Sequence, residues 1–145
     1  CLKGIMKPNK ELTLKDFPFK HQINTRWRDL DAFNHVNNAT FLSYIEDART
    51  LFFKRWKTNF EEKSLIVASA KIDYINQVKH PSTLILGQKV SRLGTKSFDV
   101  QTAIFCKESK QLICISTVTS VCFNFILNKS IPIFNEIKED YNLTI

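Results

Sequence analysis

The sequence has little glycine and proline, with 3 Gly and 4 Pro in 145 residues. Collagen-like chains and flexible linkers are rich in one or both of these residues, so both classes are excluded. The sequence also has no apolar run of about 18 residues, which predicts no transmembrane helix and no membrane insertion. The first residues lack the apolar segment of a signal peptide, so we expect none.

The four cysteines do not have the spacing of a metal site or of a disulfide-exchange motif. No pair forms CxxC, so neither zinc binding nor thioredoxin chemistry is indicated. Cys106, Cys114 and Cys122 fall in segments that alternate like strands, where cysteine usually acts as a small buried apolar residue. Reduced thiols are typical of the cytoplasm, and we expect a cytoplasmic protein that holds no metal and needs no cofactor.

What the chain does contain is apolar and basic. Apolar residues make up 43% of the sequence and include 12 Phe, which is enough to fill one core. Lys and Arg number 21 and Asp and Glu 14, so the net charge of +7 favours anionic partners such as phosphates, nucleic acid or acidic lipid. We predict one domain over residues 1–145, with a core at about 19–126 and peripheral segments at 1–15 and 130–145.

The spacing of apolar residues predicts one long helix and several strands. Phe41, Ile45, Ala48 and Phe52 recur every three or four residues, which predicts a helix over 38–56. Elsewhere apolar residues recur at every second position, which predicts strands at 19–27, 65–75, 83–93, 96–106 and 111–125. A single apolar helix has to be covered, so we expect an α+β domain whose antiparallel sheet curls around it.

Polar residues are most concentrated between the first strand and the helix, over residues 26–38. The first N–H groups of a helix lack internal partners and can hold an oxygen that becomes negative during a reaction. A carboxylate just upstream, at Asp29 or Asp31, could then act on the carbonyl so held. Both aspartates could instead form turns or caps, and His35 could be structural.

This region resembles the acyl-CoA thioesterases of the 4-hydroxybenzoyl-CoA thioesterase type. Their pattern is D-x-D-x-x-G-H-V-N-N, followed by Y-x-E-x-A-R on a helix; residues 29–38 and 44–49 match it, with Asn34 in place of the glycine. Residues 72–74 and 92–98 resemble two later motifs of the family, whereas Gln77 stands where the family often has proline. The resemblance spans about 19–126 and implies the hotdog fold, a five-stranded antiparallel sheet wrapped around one long central helix.

The resemblance implies hydrolysis of an acyl-CoA thioester to a carboxylic acid and free CoA. Asp31 matches the catalytic carboxylate, which either attacks the thioester or activates water, and Asn38 matches the residue whose backbone N–H polarises the carbonyl. The resemblance also makes His35 a candidate catalytic residue. His35 and Asn37 are expected to order the turn or line the pocket. Some hotdog thioesterases instead use an acidic residue on the helix, which makes Glu46 the alternative carboxylate.

Substrate contacts and assembly also follow from the resemblance. Phe41 is a candidate for the acyl pocket, although core packing explains it equally well. Arg92 and Lys96 flank a turn and are candidates to hold the phosphates of CoA together with Ser97. Family members are usually dimers or tetramers with sites between subunits, so we expect a homodimer or homotetramer.

Other functions remain open at this stage. The same chemistry would serve an acyl-carrier-protein thioesterase. A non-catalytic module for acyl groups or acyl-CoA is a second alternative. A hydroxyacyl dehydratase would need a catalytic histidine in a Pro-rich loop, which the sequence lacks. The aromatic residues follow core periodicity and are not interleaved with a basic stripe, so we expect no nucleic-acid binding.

Overall fold

This computed structural model describes residues 12–144. It contains the helix and the strands that the spacing of apolar residues predicts. The strands and α-helices run in the order β1 Phe19–Asn24, α1 Asn38–Arg55, β2 Ser64–Tyr74, β3 Thr83–Leu93, β4 Ser97–Cys106, β5 Leu112–Asn124, β6 Lys129–Ser130 and α2 Asn135–Asn142. The predicted long helix is confirmed: it starts at Asn38 as expected and ends one residue early.

The strands form one antiparallel sheet in the order β1-β3-β4-β5-β2, and the short β6 pairs with the end of β5. Helix α1 packs on one face of this sheet. Its residues Phe41, Ile45 and Ala48 share a buried cluster with sheet residues such as Leu86 and Ile104. This arrangement confirms the predicted α+β architecture, a sheet around one central helix.

The other face of the sheet is covered by the segment before β1. Leu86 packs under α1, so the neighbouring Gly87 faces the opposite side. Phe17 lies directly on Gly87. Its ring packs against that of Phe105, with ring centroids 6.4 Å apart. A Cβ on Gly87 would come within 2.8 Å of Phe17, so this close approach requires glycine.

Two boundaries differ from the predictions. The first strand, predicted over 19–27, ends at Asn24, and residues 27–29 form a short 3-10 helix in which Trp27 is 80% exposed. The segment 130–145 was expected to be peripheral, which is wrong, because Ile133, Phe134 and Ile137 are buried in the core. Residues 1–11 lie outside the described residues, so their peripheral position stays a prediction.

Candidate active site

The loop between β1 and α1 is tied to the helix by a buried carboxylate. Asp29 is 4% exposed and accepts hydrogen bonds from Arg26 N (2.9 Å), Arg26 Nη2 (2.9 Å) and Tyr44 Oη (2.6 Å). Its own backbone carbonyl accepts from Asn37 N at 2.8 Å. All of these bonds are internal to the fold, so Asp29 holds the loop in place, which agrees with the structural role that the sequence left open for it.

The charge of Asp29 is balanced by these donors. Burial alone would raise the pKa of Asp29, but the hydrogen bonds from Arg26 and Tyr44 outweigh burial, and the pKa lies below its usual value. Burial and the neighbouring Asp29 carboxylate both raise the pKa of Tyr44, so its hydroxyl keeps its proton and remains a donor. The pair therefore stays as carboxylate and phenol at neutral pH.

Asp31 lies at the base of a tight hairpin, where Leu30 pairs with Val36. One of its carboxylate oxygens, Oδ1, accepts from Phe33 N at 2.8 Å and from His35 N at 3.2 Å. The other oxygen, Oδ2, accepts no hydrogen bond from residues 12–144. The carboxylate is thus fixed through one oxygen while the other is left for chemistry.

The hairpin turn depends on Asn34, which replaces the glycine of the family pattern. Its φ is 61°, in the left-handed region. Asparagine tolerates this region better than most residues other than glycine. The turn therefore keeps the conformation that glycine would provide.

The start of α1 lies next to Asp31. Asn37 caps the helix: its Oδ1 accepts from Ala39 N at 2.9 Å, and its carbonyl accepts from Thr40 N at 2.9 Å. The N–H of Asn38, the first helical residue, has no hydrogen-bond partner within residues 12–144. The described chain leaves this donor unused, and the helix dipole adds positive potential there.

A cavity of about 400 Å³ joins these groups. Five predicted site residues line it: Asp31, His35, Asn37, Asn38 and Phe41. The loop, the helix start and the end of β2 form its walls. One pocket therefore contains both the candidate carboxylate and the candidate oxyanion donor.

Sequence reasoning missed part of the wall, which comes from the end of β2 and the segment after it. Tyr74, Asn76 and Gln77 line the cavity. Tyr74 Oη donates to the carbonyl of Asn38 at 2.9 Å and its ring lies 6.0 Å from that of Phe41. The family motif around Tyr74 was the available signal, although it was not assigned to the site.

Comparison with known proteins places the chain in a family. The family model described as the Thioesterase-like superfamily matches residues 25–140. The chain belongs to this superfamily. The match covers both the loop with Asp31 and the whole of α1.

Curated relatives of this thioesterase-like protein include two bacterial proteins. The long-chain acyl-CoA thioesterase FadM of Escherichia coli K12 is 25% identical over 123 residues, 81% of this chain and 92% of FadM. The uncharacterized protein YsmA of Bacillus subtilis strain 168 is 34% identical over 83 residues. This match covers 56% of this chain and 56% of YsmA, just over half of each.

A solved structure of a thioesterase from Thermus thermophilus, complexed with coenzyme A and Zn, superposes with a TM-score of 0.75 and 28% identity, covering 86% of this chain and 98% of that one. Together with the sheet order and central helix, the comparisons confirm the predicted hotdog fold. Membership of the Thioesterase-like superfamily classifies the protein as a thioester hydrolase.

The alternative carboxylate of this thioesterase-like protein, Glu46, lies elsewhere on α1. Glu46 does not line the 400 Å³ cavity. Its Oε2 accepts from Nη2 of the buried Arg49 at 2.5 Å, and its side chain is 56% exposed. Within one chain, Glu46 and the start of α1 are therefore separated, whereas Asp31 and Asn38 share a cavity.

The predicted CoA-binding residues are also distant from the cavity within one chain. Arg92, Lys96 and Ser97 lie at the β3–β4 turn, where Arg92 Nε donates to Asp99 at 2.9 Å and Arg92 Nη2 to Ser97 Oγ at 3.1 Å. The cavity is at the opposite end of the sheet. Strand β4 has 10 residues and spans about 30 Å, so one chain does not bring the two regions together.

The side chains of residues 12–144 offer no cluster of three or more His, Cys, Asp or Glu that could hold a metal ion. Cys114 and Cys122 are buried, and burial raises the pKa of their thiols to about 12 and about 11. Neither thiol is a nucleophile at neutral pH. Among the described residues, no helix is long and apolar enough to cross a membrane.

Proposed function

We propose that this protein is an acyl-CoA thioesterase of the 4-hydroxybenzoyl-CoA thioesterase type. It hydrolyses acyl-CoA with water to a carboxylic acid and free CoA. One observation carries the proposal: Asp31, with Oδ2 unpartnered within residues 12–144, shares a cavity of about 400 Å³ with the unused N–H of Asn38. Acyl transfer requires a nucleophile or base beside an oxyanion donor, and the carboxylate of Asp31 and the N–H of Asn38 suit these two roles.

In the proposed reaction, the thioester carbonyl oxygen accepts a hydrogen bond from Asn38 N–H. Asp31 Oδ2 either attacks the carbonyl carbon or takes a proton from the water that attacks it. Negative charge collects on the carbonyl oxygen, where the helix start stabilises it by roughly 3 kcal/mol. The C–S bond then breaks and the thiolate of CoA leaves. With direct attack, water hydrolyses the resulting anhydride and restores Asp31. With attack by water, Asp31 passes the proton that it took to the leaving thiolate.

The remaining cavity residues position this chemistry. His35 N–H and Phe33 N–H hold Asp31 Oδ1, so the free oxygen keeps one orientation. Asn37 fixes the helix start by capping Ala39 N. The acyl group lies against Phe41, which forms part of the wall. No step in this scheme requires a metal or cofactor.

We further propose that the enzyme is at least a homodimer, joined through β2. This strand is at one edge of the sheet, and Ile66 and Val67 on it are 39% and 48% exposed. An unpaired apolar edge strand favours pairing with a second copy. In a two-fold antiparallel pair, the start of β2 faces the end of the partner's β2, so the β3–β4 turn of one subunit approaches the cavity of the other. Arg92 and Lys96 would then hold CoA phosphates across the interface.

Size-exclusion chromatography with light scattering tests the assembly. Val67→Lys places a charge on the edge and is expected to give a monomer with weakened acyl-CoA binding. Asn142→Lys, at the exposed end of α2, adds the same charge away from the edge and should leave the assembly unchanged. A wild-type monomer at micromolar concentration would contradict the proposed dimer.

The substrate class is tested by measuring thiol release from a panel of acyl-CoAs and acyl-carrier-protein thioesters. The proposal expects turnover of acyl-CoA. Turnover of carrier-protein thioesters alone would show that the substrate is acyl-carrier protein and not acyl-CoA. Binding of acyl-CoA without turnover would show that the protein is a binding module. A cytoplasmic location, where acyl-CoA is formed and used, completes the proposal.

A further inference from the structure

A second cavity lies on the face of the sheet opposite α1. It has a volume of about 360 Å³ and is lined by apolar side chains of the segment before β1 and of strands β3 and β4. Leu12 and Leu14 form one wall, and Ile85 and Phe105 form the floor. It shares no lining residue with the cavity that contains Asp31. The volume falls within the range of small-molecule sites, roughly 300–1,000 Å³.

The polar part of this cavity is basic. Lys15, Lys107 and Lys110 line it, and no acidic residue of the described chain does. Lys15 and Lys110 form no ion pair within residues 12–144, and Lys107 Nζ donates to the neutral Gln22 Oε1 at 3.2 Å. Three lysines that form no ion pair within residues 12–144 thus line a cavity with an apolar floor.

We propose that this cavity binds an amphipathic carboxylate, such as a long-chain fatty acid, with its hydrocarbon chain on Ile85 and Phe105 and its carboxylate at Lys107 and Lys110. The inference goes beyond the thioesterase proposal, because it assigns a second site that takes no part in hydrolysis. An apolar wall with a few charged groups at one side suits a ligand with one charged end. The occupant is not the phosphate-bearing end of CoA, because its polar nucleotide would lie against the apolar lining without hydrogen-bond partners there.

The charge also distinguishes a fatty acid from a second copy of the chain. A two-fold contact between two copies through this cavity would place the three lysines of one copy against the three of the other. A carboxylate neutralises this charge, and its chain covers Ile85 and Phe105. The site is therefore complementary to an anionic lipid-like molecule in both charge and polarity.

Photolabelling of the full chain tests the location. The probe is dodecanoic acid with a terminal diazirine, and labelled residues are mapped by mass spectrometry of peptides. The proposal expects labels on 12–15, 85 and 105–110, competed by unlabelled dodecanoate. A diazirine dodecanol of the same length should label these peptides at least about fivefold less, because it lacks the charge. Labelling confined to 31–41 and 74–77, or equal labelling by the alcohol, would overturn the proposal.

Matched lysine variants test the charge. The double variant Lys107→Ala/Lys110→Ala should reduce labelling at 12–15 and 105–110 about fivefold or more. The double variant Lys129→Ala/Lys138→Ala removes the same charge from exposed positions outside the cavity and should change labelling less than about twofold. Equal loss in both double variants would mean that net charge alone attracts the probe, and no labelling in the wild type would mean that something else covers the groove; either result overturns the proposal.

Discussion

Tyr44 Oη donates a 2.6 Å hydrogen bond to Asp29 Oδ2, which joins the loop that carries Asp31 to helix α1. The backbone repeats this connection, because Asn37 N donates to the carbonyl of Asp29. The loop that carries Asp31 is therefore fixed to the same helix that presents Asn38. The distance between the proposed carboxylate and the proposed oxyanion donor depends on this link.

Removal of the tyrosine hydroxyl tests the link. Tyr44→Phe leaves the buried Asp29 with one donor fewer and is expected to lower the free energy of unfolding by about 1–3 kcal/mol. It should also lower kcat, because the loop and helix lose their common anchor. Urea unfolding and steady-state kinetics measure both effects. Tyr141→Phe is the control, since the Tyr141 hydroxyl forms no hydrogen bond within residues 12–144; equal effects of the two changes would contradict the proposed link.

The lowered pKa of Asp29 predicts how stability depends on pH. Because the folded state binds this proton more weakly than the unfolded state, Asp29 stabilises the fold above the usual aspartate pKa of about 4. That stabilisation is lost as the pH falls below about 4 and approaches the folded-state pKa. Asp29→Asn should be less stable than wild type at pH 7, yet lose less stability on acidification. Urea unfolding between pH 3 and 7 measures this; parallel pH curves for the two proteins would refute the prediction.

The contact between Gly87 and Phe17 predicts a second stability effect. Gly87→Ala places a Cβ 2.8–2.9 Å from Phe17 Cβ, Cγ and Cδ2, and the overpacking should lower the free energy of unfolding by about 1–3 kcal/mol. Two of those three atoms belong to the ring. In a Phe17→Ala background, the same glycine change should therefore cost less. An identical cost in both backgrounds would show that the ring is not the obstacle.

Local sequence signals were sufficient for the elements that adjoin the site. The apolar spacing along α1 placed the helix start at Asn38, the residue where it is found. Asparagine tolerates a positive φ, which explains how Asn34 can replace the glycine of the family pattern. These features depend on neighbouring residues in the chain, so the sequence alone could reveal them.

Features that depend on distant contacts could not be predicted in the same way. The segment 130–145 looked polar, yet Asp140 accepts from Trp56 Nε1 at 2.7 Å and Ile137 is fully buried, so α2 closes the core. Tyr74 reaches the cavity only because β2 ends beside the start of α1. The distance between the β3–β4 turn and the cavity likewise follows from strand lengths and sheet order, which residue spacing does not specify.

The central claim is tested most directly by Asp31→Asn, assayed for hydrolysis and for acyl-CoA binding. Asparagine keeps an Oδ1 that can accept from Phe33 N and His35 N, so the fold and the binding should persist. The free carboxylate oxygen is lost, so kcat should fall by at least about 100-fold. Glu46→Gln, which removes a carboxylate outside the cavity, should retain activity. Near-normal turnover by Asp31→Asn, with loss of turnover in Glu46→Gln, would contradict the assignment.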